Sequence, residues 1–229
     1  VAARTSRRAR AAALGLAVVA ALASTGCAPG TSPASVVPPT PSVDAFTDAL
    51  VATRTWAAAR ADIVLAQVVD GRVRTDRASG SLGLDKGVGT LTWADGRQEA
   101  IDHRGPRSRP PGGEWAPGEL QALIRPLAGL SGALARAGTD RVGDAEATRF
   151  EGSEAITPES LAALGLPDDV SARVLRESGP SDRISLTAWA DPYRRLVRLD
   201  RRLDTATVQA LVTTTLSDFG TFVDLSTPR

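Results

Sequence analysis

The sequence is short of almost every residue type on which site chemistry draws. Its 229 residues include one cysteine (Cys27), one histidine (His103), one lysine (Lys86), one tyrosine and no methionine. A single histidine excludes an HExxH zinc site or a histidine cluster, and a single cysteine excludes an intrachain disulfide or a multi-thiolate metal site. A Ser-His-Asp triad would have to use His103, which falls in an expected strand between Asp102 and Arg104, and no serine stands in a G-x-S-x-G elbow. The Gly87-Val88-Gly89 run lacks the third glycine of a dinucleotide fingerprint, and there is no P-loop. The carboxylates of Asp168-Asp169 and of Glu151 with Glu154 read as helix-start or solvated charges. These absences lead to the expectation of a protein that is not an enzyme and needs no metal or cofactor. Large apolar side chains are also sparse, with aromatics at 4% and alanine at many apolar positions. Such a composition serves a lean core or a widened cavity equally well.

What the sequence does contain begins at its N-terminus. Four arginines (Arg4, Arg7, Arg8, Arg10) precede an uncharged apolar run, Ala11 to Ala23, and small residues lead from there to Cys27. Basic, apolar and small segments in that order make a secretory signal, and 13 apolar residues fall short of the ~20 that span a bilayer. The stretch Leu22-Ala23-Ser24-Thr25-Gly26-Cys27 resembles the lipobox of bacterial lipoproteins, with Ser24 where Leu or Val is usual. The resemblance implies cleavage after Gly26 and acylation of Cys27, the lipid anchor. Two acyl chains hold effectively permanently, because each buried methylene contributes ~0.8 kcal/mol. The expected location is therefore the extracytoplasmic side of the cell membrane. Arg7-Arg8 leaves both general and twin-arginine export open, and an incidental thiol beside an ordinary cleavage site is the alternative for Cys27.

Arginine outnumbers lysine 26 to one, alanine is abundant, and the first residue is Val, as from a GTG start. This is the codon bias of a GC-rich genome, and an actinobacterial source is expected. Removing residues 1–26 takes away four arginines and no acid, leaving 23 basic against 26 acidic residues and a formal charge of −3. A mildly acidic domain has no electrostatic footprint for nucleic acid.

Residues 27–42 follow the anchor with a Pro/Ser/Thr-rich segment that cannot bury enough surface to offset its ordering entropy, so it reads as a tether. Residues 43–229 are long enough for one domain with a sizeable core. A helix is expected from Val43 to about Arg60, with Ala45, Phe46, Ala49, Leu50, Thr53 and Ala57 near one face. Strands are expected over Ile63–Val69, Val73–Leu84, Val88–Trp93 and Gln98–His103. Asp70-Gly71, Asp85-Lys86-Gly87 and Asp95-Gly96 separate them with turn chemistry that pairs neighbours antiparallel. Gly105 to Gly113 reads as a loop. Glu119 to Arg136 shows a second helical stripe, interrupted by Pro126, Gly129 and Gly132, that is either a core-facing helix or a flap over an apolar opening. Strand character returns over Thr139–Glu154. Short helices start at Thr157-Pro158 and Pro167-Asp168, and strands are expected at Arg183–Ala190, Arg195–Leu203 and Val208–Ser217, with an extended piece at Thr221–Leu225.

The C-terminal run resembles the actinobacterial LppX/LprA/LprF/LprG lipoprotein family. Trp189 and Asp191 match its Trp-x-Asp turn, Ser217, Asp218, Phe219 and Gly220 its late strand end, and Val223, Asp224 and Pro228 its terminus. The resemblance covers some 45 residues in detail and the order of elements over most of the chain. It implies an α+β fold in which a curved antiparallel sheet, a LolA-like half-barrel, wraps over a few helices. The implied function is to bind or transport acylated lipids or lipoproteins in an apolar cavity. An acylated envelope lipid or lipoprotein, the membrane itself, and an envelope protein or exporter are the implied partners. The candidate lining is Ile63, Leu65, Leu82, Leu84, Leu91 and Trp93 from the first strands and Leu123, Leu127 and Leu130 from the helical stripe. The late strands add Ile184, Leu186, Val212 and Leu216. For each of these thirteen, ordinary core is the competing reading. At the level of the whole protein, the alternative is a non-catalytic interaction or envelope-sensing module of the same fold with a filled core.

Overall fold

Leucine-rich and β-branched runs alternate with short polar turns along this chain, and most of those turns close antiparallel hairpins. A computed structural model describes residues 43–85, 87–102, 105–118, 123, 126, 127, 130 and 134–221. Its first element is helix α1, Val43–Arg54, which buries Phe46, Ala49, Leu50 and Thr53 at the spacing of one helical face. Strands β1 (Ala58–Val69), β2 (Arg72–Gly83), β3 (Val88–Trp93), β4 (Gln98–Asp102), β5 (Gly105–Arg109) and β6 (Ala116–Pro117) follow as a meander. After them come β7 (Leu134–Val142), β8 (Ala145–Ala155), the helices α2 (Pro158–Ala162) and α3 (Asp168–Glu177), and strands β9 (Arg183–Ala190), β10 (Leu196–Asp204) and β11 (Val208–Ser217).

All eleven strands form one unclosed antiparallel sheet in the order β6-β5-β4-β3-β2-β1-β11-β10-β9-β8-β7. The two meanders join where β1 pairs with β11, Arg60 opposite Ser217 through Val69 opposite Val208. One face of the sheet, here the inner face, packs against the helices in a single buried apolar cluster. Phe46 of α1 meets Phe150 of β8 at 5.5 Å between ring centroids. Beneath β1, the Gln67 amide donates to the carbonyls of Leu164 and Gly165 at 3.0 Å each, tying the α2–α3 connection to the sheet.

Several boundaries differ from expectation for identifiable reasons. The first helix stops at Arg54 instead of Arg60, because Ala58 and its successors pair with β2 and Ala57 turns to a positive φ of 54°. Two-sided strand pairing here outweighs the helix preference of alanine. The expected loop at Gly105–Gly113 contains β5, and Ala116–Pro117 adds β6 at the sheet edge, where prolines are tolerated. The strand expected over Thr139–Glu154 is a hairpin, β7 and β8, turning at Gly143 with φ 60°. Leu134 to Arg136 belong to β7 and not to a helix, while most of 119–133, like His103 and residues 222–229, lies outside the described residues. Leu84 sits in the turn after β2, its N–H donating to the Ala57 carbonyl at 2.8 Å. Helix α2 starts as expected: Thr157 and Ser160 form a reciprocal capping box with Pro158 at the first helical position.

Candidate functional site

Strand alternation places every second side chain of β1, β2, β3 and β9–β11 on the inner face. Pairing then aligns them in rows across the sheet. One row runs Leu186–Arg201–Val212–Leu65–Asp76, and the next Ala188–Leu199–Thr214–Ile63–Ala78–Trp93. Leu216 lies opposite Ala61, Leu82 opposite Ala59, and Leu91 opposite Glu99. Ile184 stands opposite Glu154. Leu84 joins the same core from its turn, and Leu123, Leu127 and Leu130 are buried in it as well. All thirteen expected lining residues are therefore buried together in one cluster. Cys27 and the tether lie outside the described residues.

The inner face is not uniformly apolar: it also buries charged and amide side chains that lie outside the expected apolar lining. Arg201 is 4% exposed and pairs with Glu154 at 3.4 Å. Burial holds the Arg201 guanidinium below its usual pKa and raises that of Glu154, each effect opposed by the other's charge. Gln67 and Thr214 are buried on the same face, and so is Glu99, at 1% exposure. The signal was present in the sequence: Arg201 alternates in phase with Leu199 and Leu203, Gln67 with Ile63 and Leu65, and Glu99 with Ile101. Phase along a strand fixes the face whatever the residue's polarity.

A cleft of about 330 Å3 opens between the inner face and the α2–α3 connection, bordered by Leu65, Trp93, Arg97, Glu99, Leu123 and Leu166. Gly165, with φ 63°, forms part of its wall, and a Cβ there would lie 3.3 Å from the Leu65 side chain. Arg97 stacks over the Trp93 ring at 4.6 Å and reaches Glu99 Oε1 at 3.3 Å. Desolvation raises the Glu99 pKa, and the Trp93 and Arg97 side chains offset part of that rise. No cluster of three or more metal-ligating side chains occurs among the described residues, and no described helix is long and apolar enough to cross a membrane.

The Trp-x-Asp turn and the late strand end meet at a corner of the sheet. Asp191 accepts from the backbone N–H groups of Tyr193 and Arg195 at 2.9 Å each, while its other oxygen takes the Arg195 guanidinium at 2.6 and 2.8 Å. That guanidinium lies among three rings, 4.6 Å from Phe219, 5.0 Å from Tyr193 and 5.1 Å from Trp56. The matched residues thus staple the β9–β10 turn to the start of β1 and the end of β11, a structural task.

No family model matches the chain, and no curated protein does. Among solved structures, the chain is similar to the lipoprotein LppX of Mycobacterium tuberculosis, at 15% identity over 80% of this chain and 97% of that one, with a TM-score of 0.49. It is similar to LprF of Mycobacterium bovis at 14% identity over 82% and 99%, TM-score 0.42. A third is a LolA-superfamily protein of Nitrosomonas europaea, at 5% identity over 74% and 91%, TM-score 0.35. The first two are members of the family that the C-terminal run resembles, while the α+β fold itself, one open eleven-stranded sheet with few helices, rests on the strand pairing.

Proposed function

We propose that this chain is a membrane-anchored envelope lipoprotein, held by acylated Cys27, that binds or transports the acyl chains of a lipid or lipoprotein between its sheet and helices. The observation that carries the reading is the apolar cluster of the inner face together with the cleft that opens onto it beside Leu65, Leu123 and Leu166. An open sheet backed by small helices can exchange core contacts for lipid contacts at little cost, because lipid tails and leucine side chains are equally apolar. Tails would then replace packing at the helix side of Leu65, Leu186 and Val212. No group in this reading performs chemistry on the cargo.

Uptake from vesicles tests it. The Cys27→Ser protein, incubated with phosphatidylcholine vesicles containing fluorescent diacyl lipid and then separated from them, carries lipid in near-stoichiometric amount. Protein recovered without lipid would count against the carrier. A second reading, an interaction or envelope-sensing module with a filled core, is favoured by a specific feature of the inner face. The Arg201–Glu154 pair and the Gln67 bonds to the Leu164 and Gly165 carbonyls put buried polar groups on the face that acyl chains would have to cover.

A further inference from the structure

Single exposed apolar side chains are ordinary on a protein surface, but a cluster of them marks a contact. Among the described residues the exposed large ones are Val51, Trp56, Val73, Leu175, Tyr193 and Leu211. Val73 lies on β2, Leu175 on α3 and Leu211 on β11, whereas the other three share the corner where α1 ends beside the β9–β10 turn. Val51 stands on the exposed face of α1 one turn after Asp48, and Asp48 reaches Arg194 of the turn at 3.8 Å. Arg195 links the two rings, 5.1 Å from Trp56 and 5.0 Å from Tyr193. Behind Trp56, Phe219 packs edge-on at 6.4 Å between ring centroids, and the Gly220 N–H donates to the Ala58 carbonyl at 2.8 Å. Trp56 is thus held firmly on its inner side and left 42% exposed, next to a Tyr193 that is 76% exposed.

Charges of both signs surround these side chains. Arg194 and Arg195 pair with Asp48 and Asp191, Arg60 pairs with Asp62 at 3.6 Å, and Arg54 and Asp218 are exposed nearby. No field of one sign selects a charged partner. What the corner offers is two amphipathic rings beside a valine, the residue types that settle at the headgroup level of a bilayer, ring body toward the tails and polar edge toward water. Chain connectivity points to the same occupant. Fifteen residues, 28–42, separate Cys27 from α1, the helix that ends at this corner. At ~3.3 Å per residue they reach at most about 50 Å, so a chain acylated at Cys27 meets its bilayer at high effective concentration.

We propose that the corner formed by Val51, Trp56 and Tyr193 docks on the surface of the membrane that anchors the chain, with both rings at headgroup depth. The proposal rests on the lipid anchor of the proposed function and adds to it which face of the domain meets the bilayer.

Cys27 is the only cysteine, so the test couples the mature chain, residues 27–229, through that thiol to maleimide-bearing phosphatidylethanolamine in phosphatidylcholine vesicles. Coupling supplies the anchor whatever the cell does to Cys27. The phosphatidylcholine is brominated near the headgroup end of one chain, where it quenches tryptophan at headgroup depth. Trp93 and Trp189 are buried and Trp115 is half-buried, so quenching relative to unbrominated vesicles reports on Trp56. The coupled protein is expected to be quenched, and Trp56→Phe to lose most of that quenching. Val51→Asp and Tyr193→Ser change exposed positions and keep Trp56 as the reporter. Each should lower the quenching about twofold or more, since each removes apolar area from the contact. An unquenched coupled protein would overturn the docking face, and so would quenching that persists in Trp56→Phe or that neither Val51→Asp nor Tyr193→Ser reduces. Failure of the anchor reading shows elsewhere, as unsubstituted protein in the soluble fraction of its host, and the coupled vesicles decide the docking face in either case.

Discussion

Replacing Asp191 with alanine tests how the sheet corner is held. The side chain is 8% exposed and makes four contacts of hydrogen-bond length, two to backbone N–H groups and two to the Arg195 guanidinium. Removing it leaves two turn N–H groups without their acceptor and a guanidinium without its counter-charge beside three aromatic rings. Contacts to a charged group contribute about 1.5–3 kcal/mol singly, and they act here as one unit and not as a sum. Arg195 retains its ring contacts and reaches solvent in part, so the low end of the range for broken buried pairs applies, about 3 kcal/mol. For a domain of this size that lowers Tm by roughly 6–12 °C. Asp191→Asn keeps an oxygen for the two backbone donors and loses the ion pair, and should cost about 1–2 kcal/mol. Urea unfolding followed by tryptophan fluorescence reads all three proteins. An Asp191→Ala midpoint equal to that of the unsubstituted protein would refute the staple. If Asp191→Asn costs as much as the alanine, the ion pair alone holds the corner and the turn bonds contribute nothing.

Other expectations follow from the same structure. Arg194 adopts a positive φ of 62° beside an exposed ion pair with Asp48 at 3.8 Å, so Arg194→Gly should relieve strain and raise stability by about 0.5–1 kcal/mol; a loss of that size would refute the strain. The Glu99 carboxyl has its folded-state pKa raised above 4.5 by burial, so its contribution to stability is full below that value and is lost as pH rises through the folded-state pKa. The Tm of Glu99→Gln should accordingly gain on that of the unsubstituted protein as pH rises above 4.5, and a constant difference would show that the carboxyl does not titrate anomalously. In a membrane fractionation, Cys27→Ser should move the protein from the membrane to the soluble fraction, and continued membrane retention would count against acylation of Cys27.

Local signals carried much of this fold. Asp70-Gly71 and Asp95-Gly96 mark hairpins that form where they stand, and Thr157-Pro158 marks the start of α2. What local pattern could not convey is pairing between distant segments. The union of β1 with β11 joins residues more than a hundred positions apart, and the pairing of Ala58 and Ala59 with β2 cuts the first helix short at Arg54 although Ala57, Ala58 and Ala59 favour helix. Prolines at 106, 110 and 117 concealed β5 and β6, which form at the sheet edge where the missing N–H is harmless. For the candidate site, hydrophobicity found the thirteen apolar side chains that share the inner-face core. It passed over Glu99, Gln67, Glu154 and Arg201, which strand phase places among them. Polar residues at inner-face phase are therefore the part of the inner face that hydrophobicity alone does not pick out.

Lipid carriage by the domain is tested most directly by native mass spectrometry of the Cys27→Ser protein secreted from an actinobacterial host, before and after organic extraction. A carrier leaves the cell with a diacyl or triacyl molecule in near-stoichiometric amount, and extraction removes that mass while the fold survives. Protein that is folded and has the mass of the bare chain both before and after extraction would contradict the claim and leave the filled-core interaction module in its place.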